Sequence, residues 1–282
     1  MLLQILWDPN PEIFRIGAIA VRWYGLFFAL SFILGYYLFL KFFRMEQIPV
    51  EELDLLTLYM VVGTVIGARL GHCFFYEPKY FLAHPLEILF IWKGGLASHG
   101  AAIGILLSLY LFARKVRRPW LWIVDRIVIV VALAGVCIRL GNLMNSEIYG
   151  YETSLPWGMI FALQGEVVPK HPTQIYEALW CLVIFGLLYA LYMKEKGKTV
   201  NGRYFALFLI LLFTFRFFVE FIKEPQEAFE ATMALNMGQI LSIPFVIAGI
   251  LLWYYSSRNP LIASTTPGKT SPHALSRGRK AK

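Results

Sequence analysis

Charge is scarce in this sequence of 282 residues. Charged side chains make up 16% of the chain, whereas a soluble domain carries roughly 25%. Hydrophobic residues reach 58% and occur in long blocks, each close to the roughly 20 residues that a helix needs to cross a bilayer. These features argue against a soluble domain. They predict an all-α integral membrane protein, folded as a polytopic helix bundle.

Closely spaced cysteine pairs and internal repeats are also missing. Cys73, Cys137 and Cys181 each lie in a separate apolar run, so no pair has the short spacing of a metal or redox motif. We interpret all three as packing residues. No repeat stands out, so the usual sequence support for an inverted-repeat transporter is lacking.

The hydrophobic blocks predict about seven transmembrane spans. They cover residues 22–43, 54–76, 87–113, 120–141, 172–193, 203–222 and 237–255. The third block is unusual because it contains Lys93, His99 and four glycines between residues 91 and 104. We therefore expect a break near Gly94-Gly95, with a short outer segment before it and a full helix after it.

The basic residues of the loops predict an orientation. Lysine and arginine concentrate at 41–44, 113–118, 194–203 and in the tail from Arg258, and cytoplasmic loops carry such an excess. This places the N-terminus outside and the C-terminus in the cytoplasm. We expect one transmembrane domain over residues 1–257. The basic segment 258–282 is expected to be a disordered cytoplasmic tail.

Polar side chains interrupt the hydrophobic blocks at one common depth. In the predicted orientation they lie at the outer ends of five or six spans, and they are Tyr24, Arg69, His99, Arg139, Asn142, Glu177, Arg216 and Glu220. Ionisable residues within a membrane normally face a cavity or one another. We therefore expect these groups to form a site in the outer leaflet.

Several of these residues also have a purely structural interpretation. Arg216 and Glu220 stand four apart on one helix face, which suits an ordinary ion pair. Arg69, in the stretch GARLG, would cap carbonyl groups or meet lipid phosphates. His99 alone is more typical of a structural hydrogen-bonding residue than of a catalyst. Tyr24 would be an interfacial aromatic residue.

A second pair of charges lies away from this group. Asp125 and Arg126 are adjacent in the inner half of the fourth span. We interpret them as a structural pair or as a lipid-facing interface anchor. They are left out of the predicted site.

The joint pattern of the outer charges favours anion binding. Three arginines against two glutamates leave a positive excess, and arginine binds phosphate with two parallel hydrogen bonds. A positive cavity at this depth suits an anionic phospholipid headgroup. The residues by themselves thus predict a lipid-phosphate-binding membrane protein, with an enzyme as the favoured type.

The sequence resembles the bacterial prolipoprotein diacylglyceryl transferases over nearly its whole length. The family signature G-R-x-G-N-x-x-N-x-E-x-x-G is matched by I-R-L-G-N-L-M-N-S-E-I-Y-G at residues 138–150. Other similar stretches are RWYG (22–25), GARLG (67–71), WKGGLASHG (92–100), KHPTQIYEA (170–178) and FRFFVEF (215–221). The departures are Ile138 for the signature's first glycine, Ala101 after Gly100, Leu212 at a polar position, and Lys223 where arginine is common.

The resemblance implies an activity and a location. Such an enzyme transfers the diacylglyceryl group of phosphatidylglycerol to the lipobox cysteine of a prolipoprotein signal peptide. A thioether forms, glycerol phosphate leaves, and no metal or organic cofactor is required. The implied location is the bacterial cytoplasmic (inner) membrane, with a multi-pass protein whose active site faces the outer leaflet. No nucleic acid is expected as a partner.

The resemblance and this chemistry together suggest catalytic roles. Arg139 and Arg216 would hold the phosphate, whose negative charge grows as it leaves. His99 would be the base that accepts the thiol proton, because an imidazole has an unperturbed pKa of about 6.5.

Supporting roles fall to the remaining residues. Substrate binding is assigned to Arg139 together with Tyr24, Asn142, Asn145, Glu147, Gly150, Glu177, Glu220 and Arg69. In this hypothesis the tyrosine and the asparagines orient the headgroup, and the glutamates position the arginines. Gly150 permits close backbone approach in the outer loop 142–171, which covers the site.

Three rival functions stay open at this stage. An anion transporter or channel would also place positive charge within the membrane. A metal-dependent lipid phosphotransferase would need a cluster of carboxylates, whereas the acids here are isolated glutamates. A non-catalytic lipid-binding scaffold would share the composition of an enzyme.

Overall fold

The chain is described by a computed structural model that covers residues 5–17, 19–91, 94–198, 200–225 and 233–259. The described residues form eight α-helices: α1 Trp23–Met45, α2 Val50–Phe75, α3 Pro78–Ala83, α4 Ser98–Lys115, α5 Trp120–Met144, α6 Thr173–Glu195, α7 Arg203–Val219 and α8 Met237–Arg258. One-turn 3₁₀ helices cover Pro85–Leu89, Ala162–Gln164 and Glu220–Ile222. The predicted basic tail, apart from Arg258 and Asn259, lies outside the described residues.

The long apolar blocks form helices because a helix satisfies all of its backbone polar groups internally, as hydrocarbon requires. Among the described residues, six helices are long and apolar enough to cross a membrane, namely α1, α2, α5, α6, α7 and α8. The polytopic all-α prediction is therefore confirmed. The short helix α4 is not among the six, so the number of seven spans and the sides of the two termini stay predictions.

The predicted break in the third block is present. Gly94 and Gly95 have φ values of +89° and +76°, a left-handed conformation that glycine adopts without steric cost. The segment before them contains α3 and a 3₁₀ turn, and α4 begins at Ser98. The block 87–113 is therefore interrupted as predicted, because Gly94 and Gly95 separate the short segment from α4.

Glycines bring α2 and α4 into backbone contact. A Cβ at Gly67 would lie 2.4 Å from the Gly100 carbonyl oxygen, and one at Gly71 would lie 2.6 Å from the Gly100 Cα. Small residues permit this separation, which strengthens van der Waals packing between apolar helices. The contact fixes the first turn of α4, which carries His99, against the last turns of α2.

Asp125 and Arg126 are structural, but they do not pair with each other. Both are fully buried. Arg126 donates to both carboxylate oxygens of Glu46, at 2.8 Å and 2.7 Å. Asp125 accepts hydrogen bonds from the backbone N–H groups of Gly202 and Phe205, at 2.6 Å and 2.9 Å. Neighbours along a helix point in different directions, so each charge meets a different element, and the interpretation as an interface anchor is wrong.

Removing the Arg126 side chain is expected to destabilise the protein strongly. The variant Arg126→Met leaves the buried Glu46 carboxylate without its bidentate partner, and breaking a buried pair costs about 3–5 kcal/mol. A matched control is Arg203→Met, because Arg203 is 43% exposed in its pair with Glu195, and exposed pairs contribute about 0–1 kcal/mol. Thermal unfolding in detergent compares the two. Equal midpoints would contradict the assignment.

Short strands, which the sequence did not predict, organise the end of the bundle near the signature. Strand β1 (Ile5–Trp7) pairs in parallel with β4 (Met159–Phe161). Strands β2 (Glu12–Ile16) and β3 (Ile19–Arg22) form a hairpin that leads into α1. The Trp7 indole also donates to the Leu143 carbonyl at 2.9 Å. The N-terminal segment is thereby attached to the loop that joins α5 to α6.

Candidate active site

The helix ends that carry the predicted polar residues meet at one end of the bundle. Short connections at 46–49, 116–119 and 196–202 make the helix pairs α1/α2, α4/α5 and α6/α7 antiparallel. The starts of α1, α4 and α6 therefore share an end with the last turns of α2, α5 and α7. This is the common depth that the sequence predicted.

Five charged side chains at this end form a continuous chain of alternating sign. Arg139 Nε lies 3.3 Å from Glu177 Oε2. Lys223 Nζ lies 3.1 Å from Glu177 Oε1 and 3.1 Å from Glu220 Oε1. Arg216 Nε lies 3.7 Å from the same Glu220 oxygen. Each carboxylate thus sits between two cations, and we refer to these five residues as the charge chain.

Burial within the charge chain is graded from its centre to its ends. The Lys223 side chain is 1% exposed and both glutamates are 7% exposed, whereas Arg139 is 19% and Arg216 is 40% exposed. Buried charges are tolerated when good partners offset their desolvation, and here the central three are offset by one another. The two arginines are therefore the members that an incoming anion can reach.

The signature segment supports Arg139 through hydrogen bonds. Arg139 Nη1 donates to Asn142 Oδ1 at 3.3 Å, and the Asn142 amide donates to Glu147 at 2.7 Å. Asn145 donates to the same Glu147 oxygen at a longer 3.4 Å. The spacing of three residues places these side chains on one side of the helix end, as the sequence predicted.

Tyr24 contacts the same helix end from α1. A Cβ at Gly141 would lie 2.8 Å from the Tyr24 ring and 3.3 Å from the Tyr24 Cα. The glycine that follows Arg-Leu in the signature thus makes room for the start of α1. Glu147 and Arg139 also lie near enough to act electrostatically on Tyr24, so Tyr24 is placed beside the signature residues.

Gly150 allows three backbone segments to pass close together, as predicted. A Cβ at this position would lie 2.2 Å from the Ile222 carbonyl oxygen and 2.9 Å from the His171 Cβ. The Gly150 N–H donates to the His171 carbonyl at 2.9 Å, and Gly150 forms an isolated β-bridge with Lys223. The last residue of the signature therefore positions the central lysine of the charge chain.

The backbone between α5 and Gly150 turns sharply. Ser146 and Ile148 have φ values of +53° and +63°, and for a β-branched residue such as Ile148 this is a strained conformation. The Thr173 hydroxyl donates to the Ile148 carbonyl at 2.7 Å, and Gln174 donates to the Glu147 carbonyl at 2.7 Å. The start of α6 thereby holds the turn that presents Glu147.

A second buried lysine, Lys170, forms ion pairs that hold the loop 145–172 in place. Lys170 Nζ lies 2.6 Å from Glu224 and 3.3 Å from Glu166. Burial by itself lowers the pKa of Lys170, but its hydrogen bonds to Glu224 and Glu166 outweigh burial and raise that pKa. Tyr149 also donates to Glu166 at 2.8 Å, and its pKa is raised by burial and by that carboxylate. The loop is thus an ordered part of this end of the bundle.

Arg69 lies apart from the charge chain. Its guanidinium donates to the main-chain carbonyls of Ile88, Gly94, Gly95 and Glu87, at 2.6 to 3.2 Å. Arg69 is 5% exposed and stacks on the Phe81 ring. This geometry favours the carbonyl-capping interpretation, because four of its five N–H groups are used to hold the segment before α4.

His99 is exposed in the first turn of α4. Among the residues that the structure describes, no hydrogen bond or ion pair joins its side chain to the charge chain. It shares the end of the bundle with the charge chain because α4 and α5 are antiparallel. Its role as the thiol base stays a prediction.

Two apolar cavities flank α5, and members of the charge chain line one of them. The first, of about 280 Å³, lies between α5, α6 and α7 and has Arg139, Glu177 and Arg216 in its wall. The second, of about 220 Å³, lies between α1, α2, α4 and α5. Ile138 lines both cavities. A phosphate at the arginines would therefore have apolar space beside it for the start of an acyl chain.

Lys223 is the residue of this site that sequence reasoning missed. Its spacing from Glu220 was visible, since residues three apart on a helix are neighbours. What was not visible is that α6 brings Glu177 to the same amine. Within the described part of the chain, no group of three or more His, Cys, Asp or Glu side chains is placed to hold a metal.

Comparisons with known proteins agree on one family. The family model described as prolipoprotein diacylglyceryl transferase matches residues 11–255. A phosphatidylglycerol–prolipoprotein diacylglyceryl transferase of Tolumonas auensis is 48% identical over 256 residues, which are 90% of this chain and 98% of that relative. Relatives with the same description from Chloroherpeton thalassium and Porphyromonas gingivalis are 45% and 44% identical, over 93% and 91% of this chain and 98% and 96% of their own lengths.

Proposed function

The chain belongs to the prolipoprotein diacylglyceryl transferase family, and we propose that its charge chain is the part of the active site that binds the phospholipid phosphate. The protein is a multi-pass membrane enzyme. It transfers the diacylglyceryl group of phosphatidylglycerol to prolipoproteins. Phosphatidylglycerol and the prolipoprotein are therefore its two substrates. The observation that carries the proposal is the placement of two accessible arginines, backed by buried carboxylates, in contact with an apolar cavity.

The reaction forms one bond and breaks one. The sulfur of the lipobox cysteine attacks the glycerol carbon next to the phosphate ester, so a carbon–sulfur bond forms. The bond between that carbon and the phosphate oxygen breaks, and its electron pair leaves with glycerol phosphate. The thiol proton passes to a base, because the thiolate is the nucleophilic form.

Arg139 and Arg216 suit the leaving group. Negative charge on the phosphate grows as the ester bond breaks, and fixed donors aimed at growing charge are usually the largest catalytic contribution. Both arginines face their carboxylates through Nε. Their Nη groups are thereby left to point toward a phosphate, with one of them also bonded to Asn142.

The carboxylates and amides have positioning roles in this proposal. Glu177 and Glu220 fix the two arginines, while Glu147 is held by Asn142 and Asn145. Tyr24, Asn142 and Asn145 lie on the Arg139 side of the charge chain, where they would orient the glycerol headgroup. Arg69 is the weakest substrate-binding candidate, because its donors are used within the protein.

The proposed location is the bacterial cytoplasmic membrane, with the site toward the outer leaflet. The support is the distribution of lysine and arginine among the loops, since basic residues concentrate on the cytoplasmic side. The charge chain lies at the opposite end of the helices from the basic segments 41–44, 113–118 and 194–203. Labelling of an introduced cysteine in the loop 145–172 with a membrane-impermeant reagent tests this side.

Transfer of a labelled diacylglyceryl group tests the function as a whole. Purified protein is mixed with radiolabelled phosphatidylglycerol and a peptide that carries a lipobox cysteine. We expect the label to appear on the peptide in a linkage stable to hydroxylamine, because a thioether resists it, and glycerol phosphate to be released in equal amount. Absence of transfer, or label that a cysteine-to-serine peptide also accepts, would contradict the proposal.

His99→Asn is expected to lower kcat by about 10²–10⁴-fold, the usual contribution of a general base, while phosphatidylglycerol binding changes little. His84→Asn is the matched control, since His84 lies in the segment before α4 and its side chain hydrogen-bonds the Tyr80 carbonyl. The measurement is single-turnover transfer at saturating lipid. Near-normal turnover by His99→Asn would leave this histidine with a structural role.

A further inference from the structure

Lys223 is a buried cation with no role in the proposed phosphate-binding mechanism so far. Its side chain is 1% exposed, and its Nζ lies 3.1 Å from both Glu177 and Glu220. These carboxylates come from α6 and from the end of α7. A lysine in this position is costly to bury unless its partners compensate, and both partners also face an arginine.

Lys223 sets the net charge of the charge chain. Without the lysine, Glu177 would face Arg139 alone and Glu220 would face Arg216 alone, so each pair would be neutral. With it, three cations share two carboxylates, and one positive charge remains. An anionic phosphate is attracted to this excess, because desolvated charges interact strongly.

We propose that Lys223 is a positioning residue for phosphate binding. It holds Glu177 and Glu220 against the Nε edges of the two arginines, so that the Nη groups stay directed at the phospholipid phosphate. It also keeps the charge chain positive. This inference rests on the proposed function of the site.

The surroundings of Lys223 fix it from two directions. On the signature side, Gly150 pairs with it as a β-bridge, and the Tyr151 N–H donates to the Ile222 carbonyl at 2.9 Å. On the α8 side, Asn236 donates to Glu220 Oε2 at 3.1 Å. A Cβ at Gly238 would lie 2.5 Å from the Glu220 carboxyl carbon. The lysine and its carboxylate therefore have little freedom to rearrange.

Lys170 provides a comparison within the same end of the bundle. It is also buried and contacts Glu224, Glu166 and Glu152. Among the described residues, none of those three carboxylates contacts an arginine. Lys170 thus has the same chemistry and similar burial, but it is not connected to the phosphate-binding groups.

Three substitutions at position 223 separate charge from packing. Lys223→Met removes the charge and the donors, Lys223→Gln keeps donors without charge, and Lys223→Arg keeps the charge. We expect Lys223→Met and Lys223→Gln to raise KM for phosphatidylglycerol by about tenfold or more. Lys223→Arg is expected to restore KM to within about threefold of the wild type, because the bridge is retained. If Lys223→Met does not fold, Lys223→Gln carries the test.

The control and a binding measurement make the result decisive. Lys170→Gln is expected to lower the thermal midpoint and to leave KM unchanged. Unchanged KM in Lys223→Gln, or failure of Lys223→Arg to restore it, would overturn the inference. Binding of short-chain phosphatidylglycerol, measured by calorimetry in detergent, tests Lys223 separately from catalysis. If the wild type binds lipid but transfers nothing, the proposed function fails, while weaker lipid binding by Lys223→Gln still supports the inference.

Discussion

Replacement of Arg139 by glutamine is expected to reduce diacylglyceryl transfer by about 10²–10³-fold, which is the usual effect of removing one donor to a developing negative charge. Glutamine keeps a hydrogen-bonding end group but not the charge that meets the leaving phosphate. The variant should still insert and fold, since Arg139 is 19% exposed and Glu177 keeps Lys223 as a partner. The measurement is transfer per folded molecule in membranes.

Two controls sharpen the Arg139 experiment. Arg139→Lys keeps the charge but loses the two-pronged geometry of the guanidinium, so it should fall between wild type and Arg139→Gln. Arg203→Gln, at the far end of α7, should transfer normally. Normal transfer by Arg139→Gln would rule out the phosphate-binding role. Loss of the protein from the membrane would instead show that Arg139 is needed for folding.

Gly150→Val is expected to have an effect of similar size for a steric reason. The new side chain would overlap the Ile222 carbonyl oxygen, which lies 2.2 Å from the Cβ position. The two segments must separate, and Lys223 and Glu220 move with the second one. Overpacking of this kind typically costs about 1–3 kcal/mol of stability. We expect transfer to fall by about 10²-fold or more, because two carboxylate contacts are displaced.

A glycine elsewhere in the bundle serves as the control for Gly150. Gly186 lies within α6, and a Cβ there would have no atom within 4 Å. Gly186→Val should therefore keep both activity and thermal midpoint close to the wild type. The readouts are transfer rate and thermal unfolding of both variants. Full activity in Gly150→Val would contradict the close approach of the segments at 150 and 222.

Ile138, which departs from the signature, affects the apolar cavities on both sides of α5. Ile138 stands where the family signature has glycine, and its side chain lines the cavity beside the arginines and the one between α1, α2, α4 and α5. A glycine there would remove the side chain that lies between them. The isoleucine thus narrows the apolar space on both sides of α5 without altering a charged group of the site.

The rival functions fit the structure less well than the transferase does. A transporter needs a path to both faces of the membrane, whereas the charge chain lies at one end of the helices. A passive lipid-binding scaffold would bind phosphatidylglycerol as well as an enzyme does. Release of glycerol phosphate in step with peptide labelling separates those two cases, and family membership favours the enzyme.

The sequence by itself determined the membrane class, the bounds of most helices and the end of the bundle at which the charge chain lies. These properties depend on local patterns: long apolar runs, basic loops and the signature 138–150. Six of the seven predicted spans coincide with helices to within a few residues. The glycine pair before α4 was also readable, because a left-handed turn depends on the residues that form it.

Only the tertiary structure decided which charges meet. Arg126 forms an ion pair with Glu46 rather than with its neighbour Asp125. Arg69 donates its hydrogen bonds to main-chain carbonyls. Lys223 contacts two carboxylates that are 43 residues apart in the sequence. An ion pair requires contact within about 4 Å, and helix crossings bring together residues whose spacing in the sequence carries no signal. Local periodicity assigns a side chain to a face of its own helix, but only the packing of other helices against that face selects its partner.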